Sequence, residues 1–162
     1  MTFSPELEAR FEKLLQSYPP GRQRSAMVPM LLYAQDEIGY ISPAVISEIA
    51  QRIGIQENDI ISVLSYYSLL RTKPIGKFNV QVCTNICCML RGGDELFAHC
   101  KKRLGVGNKG TTSDGVFSLE EVECIGACSW APAVQINYDF HENLTPESID
   151  KILDEYREKA GK

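Results

Sequence analysis

Five of the six cysteines fall in two short runs, Cys83-Thr84-Asn85-Ile86-Cys87-Cys88 and Cys124-Ile125-Gly126-Ala127-Cys128. Thiolates are soft anionic ligands suited to zinc, copper(I) or iron–sulfur centres. The charge around them narrows the choice. From Cys83 to Gly93 the one charged side chain is Arg91, and from Cys124 to Ile136 there is none. A [2Fe-2S] cluster on four thiolates carries a charge of about −2 when oxidised and more when reduced, so a carboxylate in either loop would oppose it. The pattern points to a thiolate cage for iron and sulfide.

Other uses of cysteine fit the spacing less well. Structural zinc usually takes tight knuckles with about two residues between paired cysteines. Here, with Cys88 counted, the gaps are four and three. A plant-type ferredoxin needs a third cysteine soon after the second, and Met89-Leu90-Arg91 supply none. A thioredoxin-type dithiol needs Cys-x-x-Cys, which is absent. A disulfide between neighbours Cys87 and Cys88 would be strained. These two compete as ligands, and spacing does not decide between them. Cys100 shares a helical register with Leu96, Phe97 and Leu104 and reads as a small buried hydrophobe. His99 and His141 lack partners at ligand spacing and read as structural or solvent-facing; Trp130 and Tyr138 read as packing residues.

Several neighbours suit a cluster. Gly92, Gly93 and Gly126 permit close approach of backbone N–H groups to sulfur. A helix starting just after Cys88 would turn its positive end toward the site. Ile86, Met89, Leu90, Ile125, Trp130 and Pro132 are expected to keep water away.

The elements that position these loops follow from periodicity. Leu7, Phe11, Leu14 and Leu15 mark one helix face, and Met27, Met30, Leu31 and Ala34 a second, with Pro29 tolerated in its first turn. Ser42-Pro43 starts a third helix that ends near Gly54. A fourth opens at Glu57 or Asn58 and presents Ile60, Ile61, Leu64 and Tyr67. Pro74 and Gly76 break the period within a joint at 71–76. Alternation then begins at Phe78, Val80 and Val82, a strand that Cys83 closes. A helix over 94–104 stops at Gly105; strands are expected over 116–122 and 133–138, and a last helix from Thr145-Pro146. The fold class is therefore α+β: an N-terminal helical bundle over residues 1–72, then a domain over 77–162 with strand, helix, strand, strand, helix. That second order is the one a thioredoxin-like sheet requires.

Composition sets further bounds. The 162 residues are 44% hydrophobic, enough for ordinary cores. No signal-peptide pattern follows Met1, so a reducing cytosolic setting is expected. The longest apolar run, Met27 to Ala34, is far shorter than the roughly 20 residues of a membrane span. A net charge of −4 argues against nucleic acid as a partner, and the basic run Lys101-Lys102-Arg103 reads as a polar helix end. The acidic residues of the last helix, Asp150, Asp154, Glu155 and Glu158, read as a solvated face.

The run from Val82 to Gly93, with Glu123-Cys124-Ile125-Gly126-Ala127-Cys128-Ser129-Trp130-Ala131-Pro132, resembles the small thioredoxin-like [2Fe-2S] subunit of NADH:quinone oxidoreductase, respiratory complex I. Gln35 to Ser42 and Ser65-Tyr66-Tyr67-Ser68 resemble its helical domain. The resemblance implies Cys83, Cys88, Cys124 and Cys128 as ligands of one [2Fe-2S] cluster and leaves Cys87 as an additional thiol. It further implies one-electron exchange with FMN in a partner flavoprotein that also carries the NADH site, further iron–sulfur subunits in the assembly, and a cytoplasmic position held to the inner face of the cell membrane through the complex. The same subunit type serves NAD-linked formate dehydrogenases and hydrogenases. No Gly-rich dinucleotide fingerprint or P-loop occurs here, so NADH and FMN are expected on the partner chain alone. From a different class, a zinc-held interaction scaffold is the alternative.

Overall fold

The structure, a computed structural model, describes residues 3–161. Two compact units divide the chain, the first ending at Pro74 and the second beginning at Ile75.

The first unit is built from four helices, α1 (Pro5–Gln16), α2 (Met27–Ile38), α3 (Pro43–Ile53) and α4 (Glu57–Tyr66), with a short 3-10 turn at Gln23–Ala26. Their ends are set by local chemistry. The Ser4 and Ser42 hydroxyls accept the amides of Leu7 and Val45, and proline follows each at the first helical position, where no amide partner is lost. Gly39 and Gly54 stop α2 and α3 in the left-handed conformation. Phe11, Met30, Leu31, Ile49 and Ile60 fill the core. Arg52 of α3 pairs with Glu8 of α1 and Glu48 of its own helix, and its hydrogen bonds hold the Glu8 carboxyl below its usual range.

Two expectations for α4 fail. Ile61 is 49% exposed because it lies one residue, about 100°, off the inward line of Ile60 and Leu64. Tyr67 is not helical at all; it turns to extended backbone at φ −85°, ψ 102°. The amide of Gln35 fixes the segment that follows, donating to the Leu69 carbonyl at 2.9 Å and accepting from the Arg71 amide at 2.6 Å.

The second unit is a five-stranded sheet in the order β2-β3-β1-β4-β5, comprising β1 (Phe78–Cys83), β2 (Gly110–Thr111), β3 (Phe117–Val122), β4 (Val134–Ile136) and β5 (Asp139–His141). Helices α5 (Ile86–Leu90) and α6 (Gly93–Leu104) follow β1, and α7 (Pro146–Ala160) ends the chain. Val80, Val82, Phe117, Leu119, Val134 and Ile136 pack with Leu96 and Cys100 of α6 and Ile149, Leu153 and Tyr156 of α7. Alternation leaves Asn79, Gln81 and Glu120 on the other face, where both amides donate to the Glu120 carboxylate.

Three expected strands have become five. The stretch 133–138 breaks after Ile136 because Asn137 adopts φ 55°, a conformation asparagine tolerates, and its side chain bonds the Asn79 amide and the Lys77 carbonyl. β2 is a two-residue edge at Gly110–Thr111, too short for alternation to show. The acidic face of α7 is not simply solvated, since Arg103 of α6 pairs with Asp150 and Asp154, and His99 with Asp150.

Candidate metal centre

Strand direction brings the cysteine loops together. β1 and β3 run parallel, in register from Phe78 opposite Phe117 to Cys83 opposite Val122, so both finish at the same end of the sheet. Cys83 is the last residue of β1, and Cys124 follows the end of β3 after Glu123 alone. β4 runs back from the same end with Val134 opposite Val82. The Cys83 amide donates to the Ala133 carbonyl at 3.2 Å and the Thr84 amide to the Val122 carbonyl at 3.1 Å. Both ends of the second loop are therefore tied to the start of the first.

Within the first loop the thiols are buried. Cys83 and Cys88 are each 2% exposed. Cys88 lies within the short helix α5, and the helix expected after it, α6, begins close against it. α6 begins at Gly93, where a Cβ would lie 2.8 Å from the Cys83 carbonyl oxygen and 2.9 Å from the carbonyl of Cys88. Glycine alone lets α6 start against the backbones of both cysteines.

The second loop is open. Cys124 and Cys128 are exposed, with their sulfurs 3.9 Å apart. Gly126, at φ 84°, directs its N–H toward the Cys124 sulfur at 3.4 Å. Cys128 then enters a 3-10 turn ending at Trp130.

Between the loops, Cys83, Cys88, Ala127, Ala131 and Ala133 form one small buried cluster, with Cys87, Val122 and Ile125 packed on it. Sequence reasoning misses the three alanines as site residues. Their signal is the repetition of the smallest side chain across the loop, which leaves room beside sulfur. The expected apolar shield is only partly formed: Ile86, Met89, Leu90 and Trp130 face outward, and Tyr138, also expected to pack, is exposed. Cys100 is fully buried, and burial pushes its thiol up to about 12. His99 and His141 contact Asp150 and the Tyr156 hydroxyl and lie outside the thiol group.

The donor set fits an iron–sulfur cluster. Two sulfurs on one tetrahedral metal with bonds near 2.3 Å stand roughly 3.8 Å apart, which the Cys124 and Cys128 sulfurs match. The Cys83 thiol donates to the Glu123 carbonyl at 3.5 Å, and Cys88 lies in the same small buried cluster. Among the described residues no three His, Cys, Asp or Glu side chains converge enough to hold one metal ion. The donor set is thus one thiol pair at metal-ligand spacing, Cys124 and Cys128, and two buried thiols, Cys83 and Cys88, four in all as a [2Fe-2S] cluster takes. Burial, then hydrogen bonding with Cys83, pushes the Cys88 thiol up to about 11, while the hydrogen bond with Cys124 raises that of Cys128. Metal uptake must displace these protons.

Residues 11–157 match the model of the family described as thioredoxin-like [2Fe-2S] ferredoxin. An NADH-quinone oxidoreductase subunit of Rhizobium meliloti is 39% identical over 157 residues, covering 97% of this chain and 90% of that protein. The corresponding NADH-quinone oxidoreductase subunit of Rickettsia felis is 40% identical over 146 residues, covering 90% and 87%. That of Mycobacterium tuberculosis is 38% identical over 99% of this chain, which spans 65% of that longer relative. A solved NAD+-reducing [NiFe]-hydrogenase superposes with a TM-score of 0.73 at 16% identity, over 83% of this chain and 23% of the other, a likeness of fold.

Proposed function

The chain belongs to the thioredoxin-like [2Fe-2S] ferredoxin family, and from that premise we propose that it is the electron-transfer subunit of an NADH:quinone oxidoreductase, with Cys83, Cys88, Cys124 and Cys128 holding one [2Fe-2S] cluster. The observation that carries this reading is that two cysteine loops leave the same end of the sheet, Cys83 closing β1 and Cys124 following β3, with no carboxylate from Cys83 to Gly93 or from Cys124 to Ile136. Relatives named as subunits of NADH-quinone oxidoreductase support the assignment to that complex. When bound, the cluster supplies reversible one-electron exchange without bond making to a substrate. The chain's own residues do the rest. Cys83 and Cys88 hold the buried side, Cys124 and Cys128 the open side, and the Gly126 N–H offsets charge on the Cys124 sulfur.

The partner is a flavoprotein carrying FMN and the NADH site. Ile86 at 61% exposed, Leu90 at 76% and Trp130 at 53% border the open thiols, an apolar rim of the kind that a partner chain covers. The N-terminal helical bundle, residues 1–72, serves docking, and residues 77–162 form the cluster domain. Among the described residues no helix is long and apolar enough to cross a membrane. Attachment to the inner face of the cell membrane, in this reading, comes through the complex.

Anaerobic purification followed by metal analysis and EPR tests the proposal. Iron and sulfide in equal amounts, with a rhombic spin-one-half signal after dithionite, is the expected result. A colourless chain loaded with zinc sinks it in favour of the scaffold.

A further inference from the structure

We propose that Asn143 is a positioning residue for the cluster: its left-handed backbone aims two successive amides at the loop carrying Cys128 and braces that loop from outside the cysteine runs. This inference rests on the ligand assignment proposed above. The Asn143 N–H donates to the Trp130 carbonyl at 2.8 Å, and the Leu144 N–H to the Pro132 carbonyl at 3.1 Å. Trp130 ends the 3-10 turn that Cys128 begins, and its own N–H donates to the Ala127 carbonyl at 3.0 Å. The open ligand turn is thus held through both backbone groups of Trp130.

The backbone angle at Asn143 is what permits both bonds. Ala131 is extended, at φ −62° and ψ 150°, which sets the carbonyls of Trp130 and Pro132 on one side of the chain. An extended partner segment would turn its successive N–H groups to opposite sides, so one of them would miss. At φ 51° Asn143 breaks that alternation, and both amides face the loop. After glycine, asparagine is among the residue types that adopt this conformation most readily. The brace is anchored on both sides. Leu144, 6% exposed, belongs to the core between the sheet and α7, and the Thr145 hydroxyl caps α7 by accepting the Ser148 amide. Ahead of Asn143, β5 pairs with β4, His141 opposite Val134, so the chain that leaves the ligand loop after Ala133 returns to it through that hairpin. Asn143 is itself exposed, and substitutions there probe the backbone angle rather than packing.

The rate of iron release to a chelator and the EPR line shape of the reduced full chain test this in Asn143→Gly, Asn143→Ala and Asn143→Val, with Lys109→Val as a control. Lys109 is also left-handed, at φ 60°, and exposed, just ahead of β2. Asn143→Val should release iron about tenfold faster than wild type and show broadened lines, because Cys128 then samples several orientations. Asn143→Ala should fall between them, and Asn143→Gly, which keeps the left-handed backbone, should match wild type. Lys109→Val should lower the melting temperature to a similar degree yet release iron at the wild-type rate. A folded Asn143→Val with wild-type release and line shape overturns the inference. So does equally fast release from Lys109→Val, which would make the effect one of general stability. A wild-type chain that takes up no iron fails differently: the ligand reading falls first, and the brace with it.

Discussion

The loop from Cys83 to Gly93 and the loop from Cys124 to Ala133 supply equal numbers of proposed ligands in opposite surroundings. In the first, both thiols are 2% exposed, walled by the end of β1, by α5 and by the start of α6. In the second, both are exposed, and order comes from the strands at its ends, the Gly126 turn and one 3-10 turn. The same residue type thus performs two tasks. The buried pair sits in a wall made rigid by packing, where a missing ligand leaves nothing to replace it. The open pair is reachable by solvent and, in the proposed function, by the partner chain that exchanges electrons with the cluster.

The largest expected effect separates the two pairs. Cys83→Ser or Cys88→Ser should lower iron per chain by about tenfold or more, since no water or external thiol reaches the vacated position. Cys124→Ser or Cys128→Ser should retain a fraction of the cluster, because solvent can complete the coordination. Iron and sulfide determination on anaerobically purified variants measures both. Equal losses at the two pairs would break the contrast.

Glycine substitutions sharpen it at the level of folding. Gly93→Ala sets a Cβ against the carbonyls of Cys83 and Cys88, with the nearest atom at 2.8 Å. Displacing that backbone should cost roughly 1–3 kcal/mol and impair cluster retention. At Gly126 an added Cβ meets nothing within 4 Å, and the penalty is the left-handed backbone at φ 84°, about 1 kcal/mol. Urea unfolding of the full chain orders the two. A larger loss at Gly126 would show that the open loop is the stiffer one.

Much of this architecture is written in periodicity. The helix caps at Ser4, Ser42 and Thr145 and the alternation of β1 stand where residue types place them, because each depends on interactions a few residues apart. The meeting of the two cysteine loops was legible only as an inference from motif. It needs the parallel register of β1 and β3, a long-range property that no local pattern encodes. The splitting of β4 from β5 hangs on Asn137, whose side-chain bonds to Asn79 and Lys77 are non-local too. Apolar residue type misled most at Ile86, Leu90, Trp130 and Tyr138. Hydrophobicity states that a side chain gains by leaving water, not that this chain provides the cover.

Cys100 checks whether sulfur matters outside the site. It is fully buried, packed with the apolar side chains between α6, α7 and the sheet. Cys100→Ala should cost about 1 kcal/mol from lost burial and leave iron content and the EPR signal unchanged. A changed EPR signal would extend the site into the core and blur its contrast with the scaffold.

The smallest effect belongs to the opposite end of the strands. Ahead of β3, the Asp114 carboxylate accepts from the Thr112 hydroxyl at 2.5 Å, the Val116 amide at 3.0 Å and Arg157 at 2.7 Å. These bonds, the Thr112 hydroxyl first, hold its carboxyl down from 3.8 to about 2. A carboxyl depressed in the folded state stabilises the fold above its unfolded value and loses that contribution as pH falls through the folded one. Wild type should therefore melt above Asp114→Asn at neutral pH, with the gap closing as pH drops from 3.8 toward 2. Thermal melts of both chains across that range measure the gap, and because acid strips iron from each alike, the difference isolates the turn. Iron content at neutral pH should not change. If it falls in Asp114→Asn, the two ends of the sheet are coupled, and the site depends on more than the end its loops leave from.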